Sequence, residues 1–331
     1  PPLGDLLDPA NGIWAVAKAA EAPVPTSLRL SVFEQPVDVV VDDRGVPHLY
    51  AQSELDAFRA LGYWVARDRL FQMELQTRAA AGTLTELLGA RALEVDREAR
   101  ALGFGRMVEA RLASVDIAGA AFQSMRAYAE GVNARIETLK AAEIPLEYRL
   151  LGRKPVRWEV ANTYYLLARM ALTLANNDIS LVKARAAARV GWPAANALYP
   201  IDAPIQEPIQ PEAVDSTRFA FAPLPPPGAG DPSALRGVAV LERLNPARIG
   251  DGDLVGSNNW AVAPARSATQ RALLAGDPHL ELTLPSIWYQ AHLVVPDRLD
   301  VAGVTFPGAP WIVIGFNRDI AWSFTNTGSD V

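Results

Sequence analysis

Residues 253–262 read DLVGSNNWAV, and the character of the chain changes in the middle of this stretch. A loose, Pro- and Gly-rich segment ends at Gly256, and from Ser257 onward the residues alternate as in a strand. Glycine tolerates strained backbone conformations, which would let the Ser257 hydroxyl attack the carbonyl group that precedes it. A cut between Gly256 and Ser257 would therefore place a free α-amine and a hydroxyl on the same residue.

This pairing matters because a serine hydroxyl is a good nucleophile only when a base accepts its proton. A free α-amine titrates at about pH 7.7–8.0, so much of it is neutral at physiological pH. An N-terminal Ser257 would thus carry its own base, and a histidine would not be required. A Gly-Ser pair before a strand is more often an ordinary turn, so the dipeptide alone does not predict catalysis.

The composition narrows the chemistry further. The 331 residues are 50% hydrophobic, carry a net charge of −6 and include three histidines and no cysteine. The lack of cysteine excludes disulfides, thiolate nucleophiles and cysteine zinc sites. No basic block suggests nucleic acid, and the longest apolar run, at 311–316, is too short to span a membrane. A start without methionine leads us to expect that upstream residues have been lost, with a signal peptide or an anchor as one candidate, and a periplasmic or secreted location is expected.

Several common catalytic motifs are absent, which leaves the Gly-Ser junction as the main candidate. The sequence contains no G-x-S-x-G elbow, no H-E-x-x-H motif and no phosphate-binding glycine loop. A conventional Ser-His-Asp triad stays open as a hypothesis, and it would need a histidine and a buried carboxylate beside a different serine.

The sequence pattern divides the chain into four parts. Residues 1–26 are predicted to form an N-terminal arm, 27–215 a mostly helical region, 216–256 a Pro- and Gly-rich spacer and 257–331 a series of short strands. In the helical region, strands are predicted at LRLSVF (28–33) and VDVVVDD (37–43), and helices at 53–89, 116–140, 159–174 and 178–190. After the spacer, an antiparallel meander is predicted from NWAVA (259–263), ALLAG (272–276), WYQAHLVV (288–295), LDVAGVTF (299–306), WIVIGF (311–316) and AWSFT (321–325).

Two long segments resemble a known family. Residues 256–331, beginning GSNNWAVAPARSATQRALLAGDPH, are similar to the start of the β subunit in the penicillin acylase family of N-terminal nucleophile hydrolases. Residues 42–89, beginning DDRGVPHLYAQSELDAF, resemble the opening of that family's α subunit. The resemblance implies an α+β fold with a four-layer αββα sandwich, in which 27–215 is α-subunit-like, the spacer is released on maturation and 257–331 begins the β subunit.

The resemblance also implies roles for particular residues. Ser257 would be the catalytic nucleophile, exposed by autocatalytic cleavage after Gly256. His279 falls where relatives have either Gln or His beside the α-amine of the serine. Asn326 falls at the residue whose backbone N–H helps to hold the oxyanion. A second oxyanion donor, an asparagine, and its supporting arginine lie in relatives beyond the position of Val331.

The expected substrates are amides of an apolar acyl group, such as β-lactam side chains or N-acyl-homoserine lactones. Met170, Leu174 and Trp288 are candidates for the acyl pocket. Asp178 and Asp330 match positions that bind a structural calcium in some members, although relatives usually have glutamate at the first; no cofactor is expected for catalysis. The expected partners are a small acyl amide and the α and β chains cut from one precursor, with no nucleic acid and no membrane. The alternative is an inactive or unprocessed fragment that acts only as a binding module.

The remaining charged and histidine residues have simpler interpretations. The segment RDRLFQMELQTR (67–78) combines a core face with a paired polar face at helical spacing, so its role is predicted to be architectural. His48 and His292 are predicted to be structural.

Overall fold

The structure is a computed structural model that describes residues 4, 7, 8, 12–14, 27–174, 179–200, 256–280 and 282–325. The chain divides into two compact units, one of Pro1–Leu174 with Gly252–Thr327 and one of Ala175–Asp251 with Gly328–Val331. Most of the predicted arm, and the predicted spacer up to residue 255, lie outside the described residues. The Pro and Gly content of residues 215–250 predicts that they are peripheral to the core, and this stays a prediction because they too lie outside the described residues.

The described elements are mixed helix and sheet, which confirms the α+β prediction; the four-layer sandwich stays a prediction. The strands are β1 (Asp38–Val41), β2 (Pro47–Tyr50), β3 (Gly256–Val262), β4 (Leu273–His279), β5 (Tyr289–Val295), β6 (Leu299–Thr305), β7 (Ile314–Phe316) and β8 (Ala321–Trp322). The α-helices of the first unit are α1 (Glu54–Ala81), α2 (Thr85–Leu88), α3 (Leu93–Leu102), α4 (Phe104–Ser114), α5 (Ala120–Thr138), α6 (Leu146–Leu151) and α7 (Val160–Leu174). The second unit contains α8 (Ile179–Val190) and α9 (Trp192–Leu198).

One predicted strand, LRLSVF at 28–33, is wrong. Residues 27–30 have no regular structure, and a turn follows in which the Phe33 N–H donates to the Leu30 carbonyl. The next two backbone N–H groups, of Glu34 and Gln35, donate to the carboxylate of Asp56 at 3.2 and 3.0 Å. The alternating pattern shows only that a segment could pair, and no strand of the described sheets pairs with residues 28–33.

The strands form two sheets. One has six strands in the order β1-β2-β5-β6-β7-β8, and the other is the hairpin of β3 and β4. The predicted antiparallel meander is confirmed for β5 to β8 but wrong for β3 and β4, which pair only with each other within the described sheets. Strands β2 and β5 pair in parallel, with His48 opposite His292. The six-stranded sheet thus joins the two segments on either side of the predicted cut.

Helix α1 supports this sheet. It begins after Ser53, whose hydroxyl accepts the Asp56 N–H, and it ends at Gly82, which adopts a left-handed conformation with φ 68°. Its buried face packs with α5 against the alternate buried residues of β5. The shared core includes Leu49, Leu61, Val65, Met73, Tyr128, Val132, Ala291, Leu293 and Val295. No helix in the described ranges has the length and apolar character that a membrane crossing requires.

The charged segment 67–78 lies within α1 and makes specific polar contacts. Asp68 accepts a hydrogen bond from the Tyr289 hydroxyl at 2.7 Å, and the Gln72 amide donates to the Ser286 carbonyl at 2.9 Å. Glu74 accepts from the Tyr148 hydroxyl at 2.6 Å, and burial followed by this hydrogen bond raises the pKa of Tyr148. These contacts support the architectural interpretation, because they fasten α1 to the start of β5 and to α6.

Candidate active site

The β3-β4 hairpin builds the site around the Gly256–Ser257 peptide. Gly256 lies opposite His279, and Ser257 lies opposite Pro278. Because successive side chains alternate between the faces of a hairpin, His279 shares the face of Gly256, and the Ser257 side chain lies on the other face. The side chains of His279 and Ser257 therefore lie on opposite sides of the Gly256–Ser257 peptide group.

Ser257 is held close to the bond that it would cut. Its hydroxyl donates to the carbonyl oxygen of Gly256 at 2.6 Å, and its own carbonyl accepts a hydrogen bond from the Thr325 hydroxyl at 2.9 Å. The side chain is partly buried. The Ser257 hydroxyl oxygen thus lies beside the carbonyl group that it would attack in the predicted cleavage.

His279 contacts the same region through its imidazole. Its Nε2 lies 3.0 Å from Asp277 Oδ2, and a methyl group built on Gly256 would lie 3.5 Å from its Nδ1. The side chains of His279 and Asp277 are 40% and 71% exposed. Nε2 thus contacts a carboxylate, and Nδ1 lies on the side of the ring near Gly256.

The hairpin also contacts the end of the six-stranded sheet. Gly276 of β4 packs so tightly against Ser323 that a Cβ at this position would overlap the Ser323 side chain. Next to Ser323, the Trp322 indole N–H donates to the Val313 carbonyl at 2.9 Å. These contacts, with the Thr325 bond to Ser257, fix the segment 322–325 beside the hairpin.

Two of the three predicted pocket residues lie in one apolar cluster. Met170 and Trp288 pack on one apolar cluster built from Leu166, Phe306 and Ala309, and the Trp288 ring stacks on Phe306 with 4.6 Å between centroids. Leu174 ends helix α7 with 39% of its surface exposed. An open groove lies elsewhere in the same unit, lined by residues 52–55, 58, 120, 121, 123, 124, 298 and 311.

Three predicted site residues, Asn326, Asp178 and Asp330, lie outside the described residues. Within the described ranges, no group of three or more His, Asp or Glu side chains could hold a metal ion. The oxyanion and calcium predictions therefore stay as predictions.

Two site residues were missed by the sequence reasoning. The position of Asp277 could have been predicted from the sequence, because a residue two positions before His279 on a strand must lie on the same face. The contact of Thr325 with Ser257 could not have been predicted from a local pattern, because the two residues are 68 positions apart.

The other two histidines bond to each other across β2 and β5. His48 Nδ1 lies 3.0 Å from His292 Nδ1, and His292 Nε2 lies 2.8 Å from Asp300 Oδ1. The carboxylate only accepts, so Nε2 of His292 carries the hydrogen, and in a neutral ring its Nδ1 accepts from His48. Arg318 donates to the second oxygen of Asp300 at 2.8 Å. The arrangement joins the two segments of the sheet and supports a structural role.

We expect Asp300 to make stability depend on pH. The hydrogen bond from His292, followed by that from Arg318, holds the pKa of Asp300 below its ordinary value. Its stabilisation is therefore complete above the unfolded-state pKa of about 3.9 and is lost as the pH falls through the folded-state value. Asp300→Asn lacks this titrating carboxylate, so it should lose less stability than the wild type as the pH falls below about 5, and the difference should be small because the ion pair is partly exposed.

The measurement is denaturant unfolding at several pH values. Asp319→Asn is the matched control, since Asp319 is exposed and close in sequence to Arg318. Parallel pH curves for the wild type and Asp300→Asn would show that Asp300 has no such effect.

The described part of the chain is mixed helix and sheet, and its Gly256–Ser257 peptide opens a hairpin with the serine hydroxyl on the preceding carbonyl oxygen. The chain belongs to the penicillin amidase family, whose family model matches residues 36–331.

Individual relatives extend this finding. The chain is 37% identical over 320 residues to a protein named penicillin acylase 2 proenzyme from Pseudomonas sp. (strain SE83), a match that covers 95% of this chain and 39% of that protein. It is 31% identical to the acyl-homoserine lactone acylase QuiP of Pseudomonas aeruginosa, over 94% of this chain and 36% of that protein. The chain thus spans less than two fifths of the length of these curated relatives. A solved thermostable penicillin G acylase from Alcaligenes faecalis is 25% identical, with a TM-score of 0.44, over 54% of this chain and 97% of that one.

Proposed function

We propose that this chain is part of an autocatalytically processed amidohydrolase that cleaves the amide bond between an apolar acyl group and an amine. The observation that carries the proposal is the 2.6 Å contact between the Ser257 hydroxyl and the Gly256 carbonyl at the start of β3. In a member of the penicillin amidase family, a serine in this position is suited to cut the bond before it and then to act as the N-terminal nucleophile.

In the proposed turnover, the Ser257 hydroxyl attacks the acyl carbonyl while the Ser257 α-amine accepts the hydroxyl proton. The backbone N–H of Asn326 helps to stabilise the tetrahedral oxyanion. The α-amine returns the proton to the departing amine, and water then releases a carboxylic acid from the acyl-enzyme. The apolar cluster that contains Met170 and Trp288 is proposed to bind the acyl group, together with Leu174.

Further features of the proposal rest on the resemblance. Residues 216–256 would be released on maturation, the mature α and β chains would stay associated, and the location would be the periplasm or the cell exterior. Asp178 and Asp330 would bind a structural calcium, on which no catalytic step depends.

The relatives' names favour acylase activity over a module that only binds. They name a penicillin acylase proenzyme and an acyl-homoserine lactone acylase, which supports β-lactam side chains or N-acyl-homoserine lactones as substrates. The hydrogen bonds of the described residues also give little support to a conventional triad. Among the described hydrogen bonds, none joins a serine hydroxyl to a histidine ring, and Asp277, the carboxylate beside His279, is 71% exposed instead of buried.

The test is the release of free amine from a panel of acyl amides by the full-length protein. The panel should contain acyl chains of increasing length on β-lactam and homoserine lactone amines. Intact mass and N-terminal sequencing should show a chain that starts Ser257-Asn258-Asn259. A folded full-length protein that is never cut and releases no amine would leave the binding-module alternative.

His279→Gln should keep most of the activity of the processed enzyme. The α-amine of Ser257 supplies the base in our proposal, and a glutamine amide can still hydrogen-bond that amine. Loss of an essential general base would instead cost about 10²–10⁴-fold in rate. The measurement is turnover per mole of processed enzyme, with processing checked by mass. A folded and fully processed variant with a loss in that full range would show that Ser257 works with a histidine base.

A further inference from the structure

The uncut chain raises a question that the proposed turnover does not answer. Before cleavage, the Ser257 nitrogen is an amide, and an amide nitrogen does not accept a proton as an amine does. The base assigned to turnover therefore does not exist during the first cut. Another group must move a proton while the Gly256–Ser257 bond breaks.

His279 is placed to do this, because the strand register sets it opposite Gly256. Its Nδ1 lies near this residue, since a Cβ built on Gly256 would be 3.5 Å from it. The Ser257 hydroxyl lies on the other side of the same peptide group and contacts the Gly256 carbonyl oxygen at 2.6 Å. The nucleophile and the imidazole thus flank one peptide group from opposite faces of the hairpin.

Asp277 determines which ring nitrogen is available. Its carboxylate lies 3.0 Å from His279 Nε2, and a carboxylate can only accept a hydrogen bond. Nε2 therefore carries the hydrogen, and in a neutral imidazole Nδ1 then carries the lone pair. A carboxylate in this position also stabilises the imidazolium that forms when Nδ1 takes up a proton.

We propose that Asp277 is a positioning residue that prepares His279 to move the proton during self-cleavage, an inference that rests on the proposed function. Ser257 Oγ attacks the Gly256 carbonyl carbon, and its proton passes through a bridging water to His279 Nδ1. The bond between the Gly256 carbonyl carbon and the Ser257 nitrogen breaks, and Nδ1 returns the proton to that nitrogen. An ester between Gly256 and Ser257 results. Water hydrolyses it to the Gly256 carboxylate and a Ser257 residue with free hydroxyl and α-amine.

Under this proposal, substitutions of His279 and Asp277 should affect self-cleavage and later turnover differently. Once the α-amine is free, it serves as the base in turnover, and His279 and Asp277 are no longer needed for that purpose. Substitutions at these two positions should therefore slow the appearance of the new N-terminus without a matching loss of turnover. A purely structural role would lower both quantities together, along with thermal stability.

The experiment measures the first-order rate of cutting in the full-length polypeptide, followed by mass. Turnover per processed molecule and the melting temperature of the uncut chain are measured alongside. We expect Asp277→Asn to slow cutting at least about tenfold and His279→Gln about 10²-fold or more, with turnover per processed molecule changed less than about threefold for Asp277→Asn. Asp277→Glu should recover much of the lost rate, since it restores the carboxylate. The matched control is Asp297→Asn, at an exposed turn between β5 and β6.

Two results would overturn the inference. One is cutting of Asp277→Asn or His279→Gln at the rate of the wild type and of Asp297→Asn. The other is a parallel fall of cutting, turnover and melting temperature in Asp277→Asn, which would make Asp277 structural. Failure of the proposed function would be recognised separately, because the wild type would then not be cut before Ser257, or Ser257→Ala would still be cut there.

Discussion

Ser257→Ala should leave a single uncut chain that releases no amine from acyl amides. The substitution removes the oxygen that lies 2.6 Å from the Gly256 carbonyl, and with it the nucleophile proposed for both cleavage and turnover. Loss of a catalytic serine has cost roughly 10⁶-fold in rate in a serine hydrolase. Intact mass reports the first effect, and the amine-release assay reports the second.

The matched control is Ser267→Ala, a serine between the strands of the same hairpin whose hydroxyl is 2.8 Å from Thr269 Oγ1. This variant should be cut and should hydrolyse amides like the wild type. Normal processing of Ser257→Ala would show that the nucleophile lies elsewhere or that a host protease makes the cut. The melting temperature of Ser257→Ala should stay close to that of an uncut wild-type chain, which separates lost chemistry from lost folding.

Gly131→Ala should be among the most destabilising single-methyl changes in this chain. Gly131 on α5 and Gly62 on α1 lie where the two helices cross, and a Cβ on either would overlap the backbone of the other helix, at Arg59 and at Tyr128. Backbone atoms cannot rotate away as a side chain can, so the helices must separate and loosen the core around Val132. We expect a loss of about 3 kcal/mol or more, against an intrinsic helix gain from alanine of only about 1 kcal/mol.

The measurement is thermal or denaturant unfolding, with Gly105→Ala as the control. Gly105 also lies in a helix, α4, but the nearest atom to a Cβ there is the Tyr165 hydroxyl at 3.7 Å, an ordinary contact. The control should be neutral or stabilised by up to about 1 kcal/mol. Equal melting temperatures for Gly131→Ala and Gly105→Ala would mean that the two helices can move apart at little cost.

Much of the secondary structure could be predicted because its signal is local. The β-branched run at 37–43 predicted β1, and the helical periodicity from residue 53 predicted α1, which begins after Ser53. LRLSVF at 28–33 failed because alternation shows only that a segment could pair. Whether it does depends on a partner strand, and no strand of the described sheets pairs with residues 28–33.

The candidate site was predictable to a similar extent. The change from loop to strand marked Gly256 and Ser257, and the family resemblance marked His279. The hairpin register then places His279 opposite Gly256. Asp277 was readable from strand alternation but was not singled out, because its importance depends on the 3.0 Å contact with the imidazole.

The sequence by itself determined the local features: where most of the helices and strands lie, where the cut is predicted and which residue types are available for chemistry. These follow from periodicity, turn residues and composition, which act over a few residues. The tertiary structure alone decided the parallel pairing of β2 with β5, the bond between His48 and His292, and the Thr325 contact with Ser257. Each of these contacts joins residues at least 68 positions apart. Such contacts depend on strand register and on the packing of whole helices and strands, and local periodicity contains no information about register or packing.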